Sequence, residues 1–282
     1  MPIAQLISAD QLASRLQEPR LCILDCRFAL DNPELGRRSY ADGHIPGAQY
    51  IDLERDMSGP VVPAVTGRHP LPRPADLIAT LEALGLSDES EIVLYDEGPG
   101  AFAARAWWLL AWLGKRDGVY LLDGGYRAWC ETGRPVELHN TSVEAGTFRG
   151  EPDNSLIIDA NSLLGELKSS PDITLIDARA LPRFLGEVEP IDPVAGHIPG
   201  AACVSFSENL DSSGRFRSPI ELRECFAQQL AHRPADALVA YCGSGVTACH
   251  NLFALCLAGY PLLRLYPGSW SEWITDPQRP VA

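Results

Sequence analysis

The sequence predicts an α/β chain of two tandem domains, each a mainly parallel sheet with helices on both faces. Three observations lead there. First, 282 residues exceed a comfortable single core and suit two domains of ordinary size. Second, the chain repeats itself: ILDCR at 23–27 returns as LIDAR at 175–179, and GHIPGA at 43–48 returns at 196–201. The correspondence continues between EIVLYDEGPGAFAARAWWLLAWLG (91–114) and ALVAYCGSGVTACHNLFALCLAG (237–259), and between DGGYRAW (123–129) and PGSWSEW (267–273). One duplication at so long a period means two domains rather than a solenoid. Third, short β-rich runs alternate with helical patterns inside each copy, the signature of a parallel sheet with crossover helices.

In chain order, Ser8 with Gln11 forms a capping-box pattern that starts a helix, followed by the strand run CILD. ADLIATLEALG is helical, IVLY and VYLL are strands, and the stretch after DEGPG is helical. In the second copy ITLID, LVAY and LLRL are the strand runs, and Ser218 with Pro219 and Glu221 opens another helix. Between the copies, from about Gly133 to Ser155, GRPVELHNTSVEAGTFRGEPDNS has little apolar periodicity and reads as a linker. The expected boundaries are residues 1–135, a linker at 136–155, and 156–282.

Apolar residues at 46% and charged residues at 21% are ordinary for a globular chain and exclude a disordered or fibrous one. Thirty-seven acidic against 23 basic side chains give a formal charge of −14, a field that repels nucleic acid and anionic membrane surfaces. A small anionic substrate would be repelled too, so a site for one must carry its own arginine. The start MPIAQLISADQL lacks the regions of a secretory signal, no apolar stretch approaches the roughly 20 residues that span a bilayer, and a cytoplasmic location is expected. Eight cysteines without a C-x-x-C pair resemble neither a zinc site nor a disulfide framework, so reduced thiols, mostly in the core, are the expectation.

The chemistry-bearing segment is AYCGSGVTACHN. A buried strand ends at Tyr241, a glycine-bearing loop begins at Cys242, and a helix follows from about Val246. Ligands of open α/β sheets bind at the carboxyl ends of the strands, where loop amides and the helix N-terminus converge on one point. Cys242 stands at that point, and such a setting favours thiolate sulfur, the nucleophilic form. Gly243 and Gly245 let the backbone curl and turn its N–H groups inward, while Val246 and Thr247 open the helix without filling the bowl. A negative persulfide would be stabilised there by preorganised donors.

LIDAR, GHIPGA, YCGSGVTA and PGSWSEW together resemble the rhodanese family, specifically its tandem-domain thiosulfate and 3-mercaptopyruvate sulfurtransferases. The resemblance covers nearly the whole chain, and the motifs are specific because they occur in order and in duplicate. It implies two rhodanese-like domains and a catalytic cysteine at Cys242, with a loop of Cys242, Gly243, Ser244, Gly245, Val246 and Thr247. The matching position of the first copy is Asp96, which cannot carry sulfane sulfur, so the first domain is expected to be non-catalytic.

The loop has no basic residue, which resembles the mercaptopyruvate type more than the thiosulfate type. By motif, Arg183 in ALPRFLG matches an arginine that binds the donor's carboxylate, for which a planar guanidinium is suited. Mercaptopyruvate enzymes carry a second substrate arginine several residues before the second GHIPG; here GEVEPIDPVAGHIPG has none, a departure that leaves thiosulfate open as the preferred donor. The resemblance also implies a proton relay from Ser244 to His69 in RHPLP and Glu54 in IDLERD, which would protonate the enolate left when mercaptopyruvate loses its sulfur. Arg179 is read as half of a structural ion pair. His44 and His197 are read as scaffold because they occur in both copies, and Trp129, Trp270 and Trp273 as packing, with lining of the substrate cleft the alternative for Trp270. No metal or dissociable cofactor is implied. The partners implied are a small anionic sulfur donor and a cyanide, thiol or thioredoxin-like acceptor.

Two other readings set limits. Cysteine phosphatases and arsenate reductases use a similar anion-cradling loop, but one residue longer and ending in arginine, whereas this one ends in Thr247. A non-catalytic binding module suits the first copy, and would suit the whole chain only if Cys242 were dispensable.

Overall fold

The computed structural model describes residues 3–139, 141–169, 173–230 and 233–282. The chain forms two compact units. The first comprises Met1–Gly59, Pro72–Asp153 and Ser212–Phe216; the second comprises Pro60–Leu71, Asn154–Asp211 and Arg217–Ala282.

In the first unit the elements run β1 (Leu6–Ile7), α1 (Ala9–Arg15), β2 (Leu21–Asp25), α2 (Glu34–Asp42), β3 (Gln49–Tyr50), α3 (Pro74–Ala83), β4 (Glu91–Tyr95), α4 (Ala101–Trp112), β5 (Val119–Leu122) and α5 (Gly125–Glu131). The sheet order is β1-β5-β4-β2-β3, parallel throughout. In the second unit follow α6 (Ala160–Ser169), β6 (Thr174–Asp177), α7 (Leu181–Phe184), β7 (Ala202–Cys203), α8 (Pro219–Gln229), β8 (Leu238–Tyr241), α9 (Thr247–Leu257), β9 (Arg264–Leu265) and α10 (Ser269–Trp273). Its sheet, ordered β7-β6-β8-β9, is also parallel throughout.

The local signals explain these elements. Ser8 and Ser218 both close complete capping boxes, with Gln11 and Glu221 respectively, each satisfying two amides that a helix start leaves unpaired. The strands β6 and β8 are buried along their whole length, as a sheet covered on both faces requires. The core of the second unit packs Leu163, Leu175, Ile198, Val239 and Tyr241 against Tyr266, Trp270 and Trp273. Trp270 and Trp273 are fully buried, in keeping with their reading as packing residues.

The repeated motifs share one device. Arg179 lays its Nε and Nη2 side-on against Asp177, at 2.7–3.1 Å, and Nη2 also donates to the Gly196 carbonyl of the GHIPG turn at 2.8 Å. Arg27, Asp25 and Gly43 repeat this arrangement in the first unit. The arginine thus fastens the turn to the end of a central strand, which is why the two motifs recur together. His197 Nδ1 lies 2.9 Å from the Phe184 carbonyl, its ring stacked on Phe184, and His44 makes the same pair of contacts with Tyr40. Both histidines therefore serve as scaffold.

The polar stretch after α5 is bound along the first unit. Glu137 pairs with His44 through two backbone bonds, Gly146 N–H donates to Glu82, and Glu151 and Asp153 donate to the carbonyls of Leu113 and Trp112. Phe148 is buried. These bonds use backbone groups, so a polar sequence without periodicity holds a fixed path. Among the described residues no helix is long and apolar enough to cross a membrane.

Candidate active site

The site is built at the carboxyl end of β8. Tyr241, the last strand residue, accepts the Ile198 N–H on its hydroxyl, and the next residue, Cys242, is buried at 2% exposure. The loop then curls over the sulfur: Gly245 N–H donates to Cys242 Sγ at 3.2 Å. Gly245 has φ of +78°, and a Cβ there would lie 2.4 Å from the Pro267 carbonyl oxygen, so only glycine fits. Val246 is the N-cap of α9 and supplies no side-chain cap; Thr247 is the first helical residue.

The PGSWSEW motif holds this loop from behind. Ser269 Oγ accepts the Cys242 N–H at 3.1 Å and donates to the Tyr266 carbonyl at 2.9 Å. Trp270 and Ser271 N–H groups donate to the carbonyls of Cys242 and Gly243 at 3.0 and 2.9 Å. Ser269 reaches this position with φ of +56°, a left-handed conformation unfavourable for a residue with a Cβ. Sequence reasoning weighed only the tryptophans of this motif and passed over its serines; that the motif recurs after the last strand of both copies was the available signal.

Ser244 and His69 meet. Both are buried, and His69 Nδ1 lies 2.8 Å from Ser244 Oγ. His69 belongs by its contacts to the second unit, although it precedes most of the first in sequence. Glu54 stands exposed in the first unit, its backbone N–H bonded to Asp52.

Arg183, on α7, is already engaged. Its Nε and Nη2 grip Glu189 at 2.7–3.2 Å, and Nη2 also reaches Asp192 at 3.1 Å. Burial pushes the Glu189 carboxyl up, but Arg183 and the N–H groups of Asp192 and Ile191 outweigh it and hold the group below the usual range. Asp192 is raised by its burial, against the pull of Arg68 and Arg183. Arg68, which sequence reasoning passed over beside His69, donates through Nη1 to Asp192. A methyl group placed on Gly243 would lie 2.9 Å from Arg68 Nη2 and 3.6 and 3.8 Å from the terminal nitrogens of Arg183. Both guanidinium groups therefore border the mouth of the loop.

In the first unit Asp96 occupies the corresponding place. It is fully buried, and its carboxylate accepts N–H groups from Gly98 and Gly100 on one oxygen and from Phe102 and Ala103 on the other, at 2.9–3.4 Å.

The rhodanese-like domain model matches residues 8–132 and again 159–276. The chain belongs to the rhodanese family. Among its relatives, a protein of Pseudomonas aeruginosa described as a probable 3-mercaptopyruvate sulfurtransferase is 64% identical over 282 residues, covering 100% of this chain and 99% of that one. The thiosulfate sulfurtransferase of Cricetulus griseus is 35% identical, covering 95% of this chain and 91% of its own. Among solved structures, the 3-mercaptopyruvate sulfurtransferase from Leishmania major superposes with a TM-score of 0.83 at 30% identity, over 97% of this rhodanese chain and 75% of that one.

Proposed function

We propose that this rhodanese is a sulfurtransferase that takes sulfane sulfur from 3-mercaptopyruvate onto Cys242 and passes it to a thiol, to cyanide or to a reduced thioredoxin-like protein. The observation that carries the reading is the loop itself: a cysteine sulfur at the end of a central strand, facing the start of α9 and accepting the Gly245 N–H. In the first step Cys242 thiolate attacks the donor sulfur. An S–S bond forms, the donor's C–S bond breaks, and its electron pair leaves on carbon as the pyruvate enolate. The enolate takes a proton to give pyruvate, and the Ser244 hydroxyl backed by His69 at 2.8 Å is the group suited to deliver it; on the resemblance, Glu54 is the third member of the relay. In the second step the acceptor attacks the outer sulfur, and Cys242 returns as thiolate. With thiosulfate the leaving group is sulfite, and no carbon needs a proton.

In this reading Arg183 binds the donor's carboxylate, while Gly243, Gly245, Val246 and Thr247 shape the bowl around the persulfide. The first unit is non-catalytic, its loop holding Asp96 where sulfur would be carried. The eight free cysteines fit a cytoplasmic location. The test is thiocyanate formation from cyanide with each donor, in the parent and in Cys242→Ala. The reading expects higher catalytic efficiency with 3-mercaptopyruvate and none with either donor in the variant. Higher efficiency with thiosulfate would reassign the donor, and activity surviving in Cys242→Ala would sink the mechanism.

A further inference from the structure

The stretch GEVEPIDPVA before the second GHIPG motif holds no arginine, yet two guanidinium groups stand at the loop, and they differ in what they have left to offer. Arginine receives a carboxylate best side-on, through Nε and Nη2 together. Arg27 and Arg179 use that edge on Asp25 and Asp177, and Arg183 spends the same edge on Glu189. Arg68 does not. Only its Nη1 is bonded to Asp192, while its Nε–H is buried and has no partner among the described residues. Its Nη2 comes within 2.9 Å of where a Cβ of Gly243 would be. A buried N–H left unpaired is unfavourable, so such a donor in a site points to an acceptor that arrives.

The geometry points to Arg68 as the residue that receives the carboxylate of the sulfur donor, side-on through Nε and Nη2, with Asp192 as the positioning residue that holds Nη1 and aims the fork at the loop. The inference rests on the proposed role of Cys242 and names the donor's binding group. It also accounts for the departure in GEVEPIDP. That stretch supplies an acid, Asp192, 3% exposed at its side chain, and the cation comes instead from the segment that carries His69. Arg183, whose Nε and Nη2 are held by Glu189, keeps its part in binding the same carboxylate end-on through Nη1, which lies 3.6 Å from the Gly243 Cβ position. Gly243 is the residue that leaves room, since any side chain there would press on the Arg68 nitrogen.

The test is steady-state kinetics with 3-mercaptopyruvate and cyanide for Arg68→Gln, Arg68→Lys and Asp192→Asn, each checked by thermal melting. A charge-assisted pair of hydrogen bonds is worth enough to raise KM about tenfold to a hundredfold in Arg68→Gln, with kcat within about threefold of the parent. Arg68→Lys keeps the charge without the fork and should recover only part of that loss. Asp192→Asn, which loosens the hold on Nη1, should raise KM by a smaller factor with kcat unchanged, as a positioning role requires. A KM within about twofold of the parent in both Arg68 variants overturns the assignment, as does full recovery by lysine, which would leave charge alone as the determinant, and an unchanged KM in Asp192→Asn overturns the positioning role. Parent protein that transfers no sulfur would instead refute the proposed function, a result distinguishable before any Arg68 variant is made.

Discussion

Replacing Gly245 with alanine tests whether the loop's shape is what presents an N–H to the sulfur. At φ of +78° a residue with a Cβ is strained by about 1–2 kcal/mol. The new methyl would lie 2.4 Å from the Pro267 carbonyl oxygen, so the loop or that carbonyl must shift, at a cost of about 1–3 kcal/mol for an overpacked site. Together these destabilise by roughly 2–5 kcal/mol, and for a domain of this size that lowers Tm by about 5–15 °C. Because Gly245 N–H is the donor on Cys242 Sγ, the same shift should slow persulfide formation. Calorimetry reads the first effect, and intact mass after incubation with donor, showing the added sulfur atom, reads the second. Gly165→Ala is the matched control: it lies within α6, and nothing stands within 4 Å of its Cβ position, so it should stabilise by about 0.5–1 kcal/mol. The reasoning is refuted if Gly245→Ala melts within about 1 °C of the parent and loads sulfur at the parent rate.

Arg179→Ala leaves Asp177, fully buried, without its partner and the Gly196 carbonyl without its donor; breaking a buried pair this way should destabilise by about 3–5 kcal/mol, measured by urea unfolding. Glu189 has its carboxyl held below the ordinary glutamate range, because Arg183 and two backbone N–H groups outweigh its burial. A group depressed in the folded state contributes stability that is present above its unfolded pKa and is lost as pH falls through the folded one. Melting temperature should therefore fall on acidification below about pH 4.5, and Glu189→Gln should flatten that part of the profile; an unchanged slope would show that Glu189 is not a source of it.

Much of this fold is legible because its signals are local. CILD and LVAY are apolar runs between loop residues, and both capping boxes span four residues. The Asp-x-Arg pair is written twice at the same distance from a strand. The Cys242 loop was legible for the same reason, since strand, glycines and helix are consecutive. What escaped reading is long-range or backbone-borne. Arg68 and Asp192 are separated by 124 positions, and neither sequence neighbourhood states that the other exists. In PGSWSEW the sequence offers Gly268 for a left-handed position, yet Gly268 has φ of −64° and Ser269 takes the positive φ. The reason is spatial: a Cβ on Gly268 would run into the Glu272 carboxylate, while Ser269 is fixed by the bonds its hydroxyl makes to Cys242 and Tyr266. The path of residues 141–153 escaped because most of its bonds are made by its backbone groups, which no side-chain pattern announces.

The two copies of the loop show how little sequence separates a bowl that can carry sulfur from one that is filled. Both follow the central strand of a parallel sheet and open a helix, α4 or α9, whose first amides face the preceding loop. In the first, Asp96 brings its own anion, and four backbone N–H groups close on that carboxylate. Burial still pushes its pKa up against those bonds, so the ring holds a carboxylate at some expense of desolvation. In the second, the residue aligned with Asp96 is Cys242, which is one atom shorter in its polar end and accepts the Gly245 N–H. The residue of the first loop aligned with Gly245 is Pro99, which has no N–H to give. Restoring a cysteine at position 96 alone would therefore put sulfur in the bowl without the donor that Gly245 supplies, whereas the second loop has both the sulfur and the N–H that meets it.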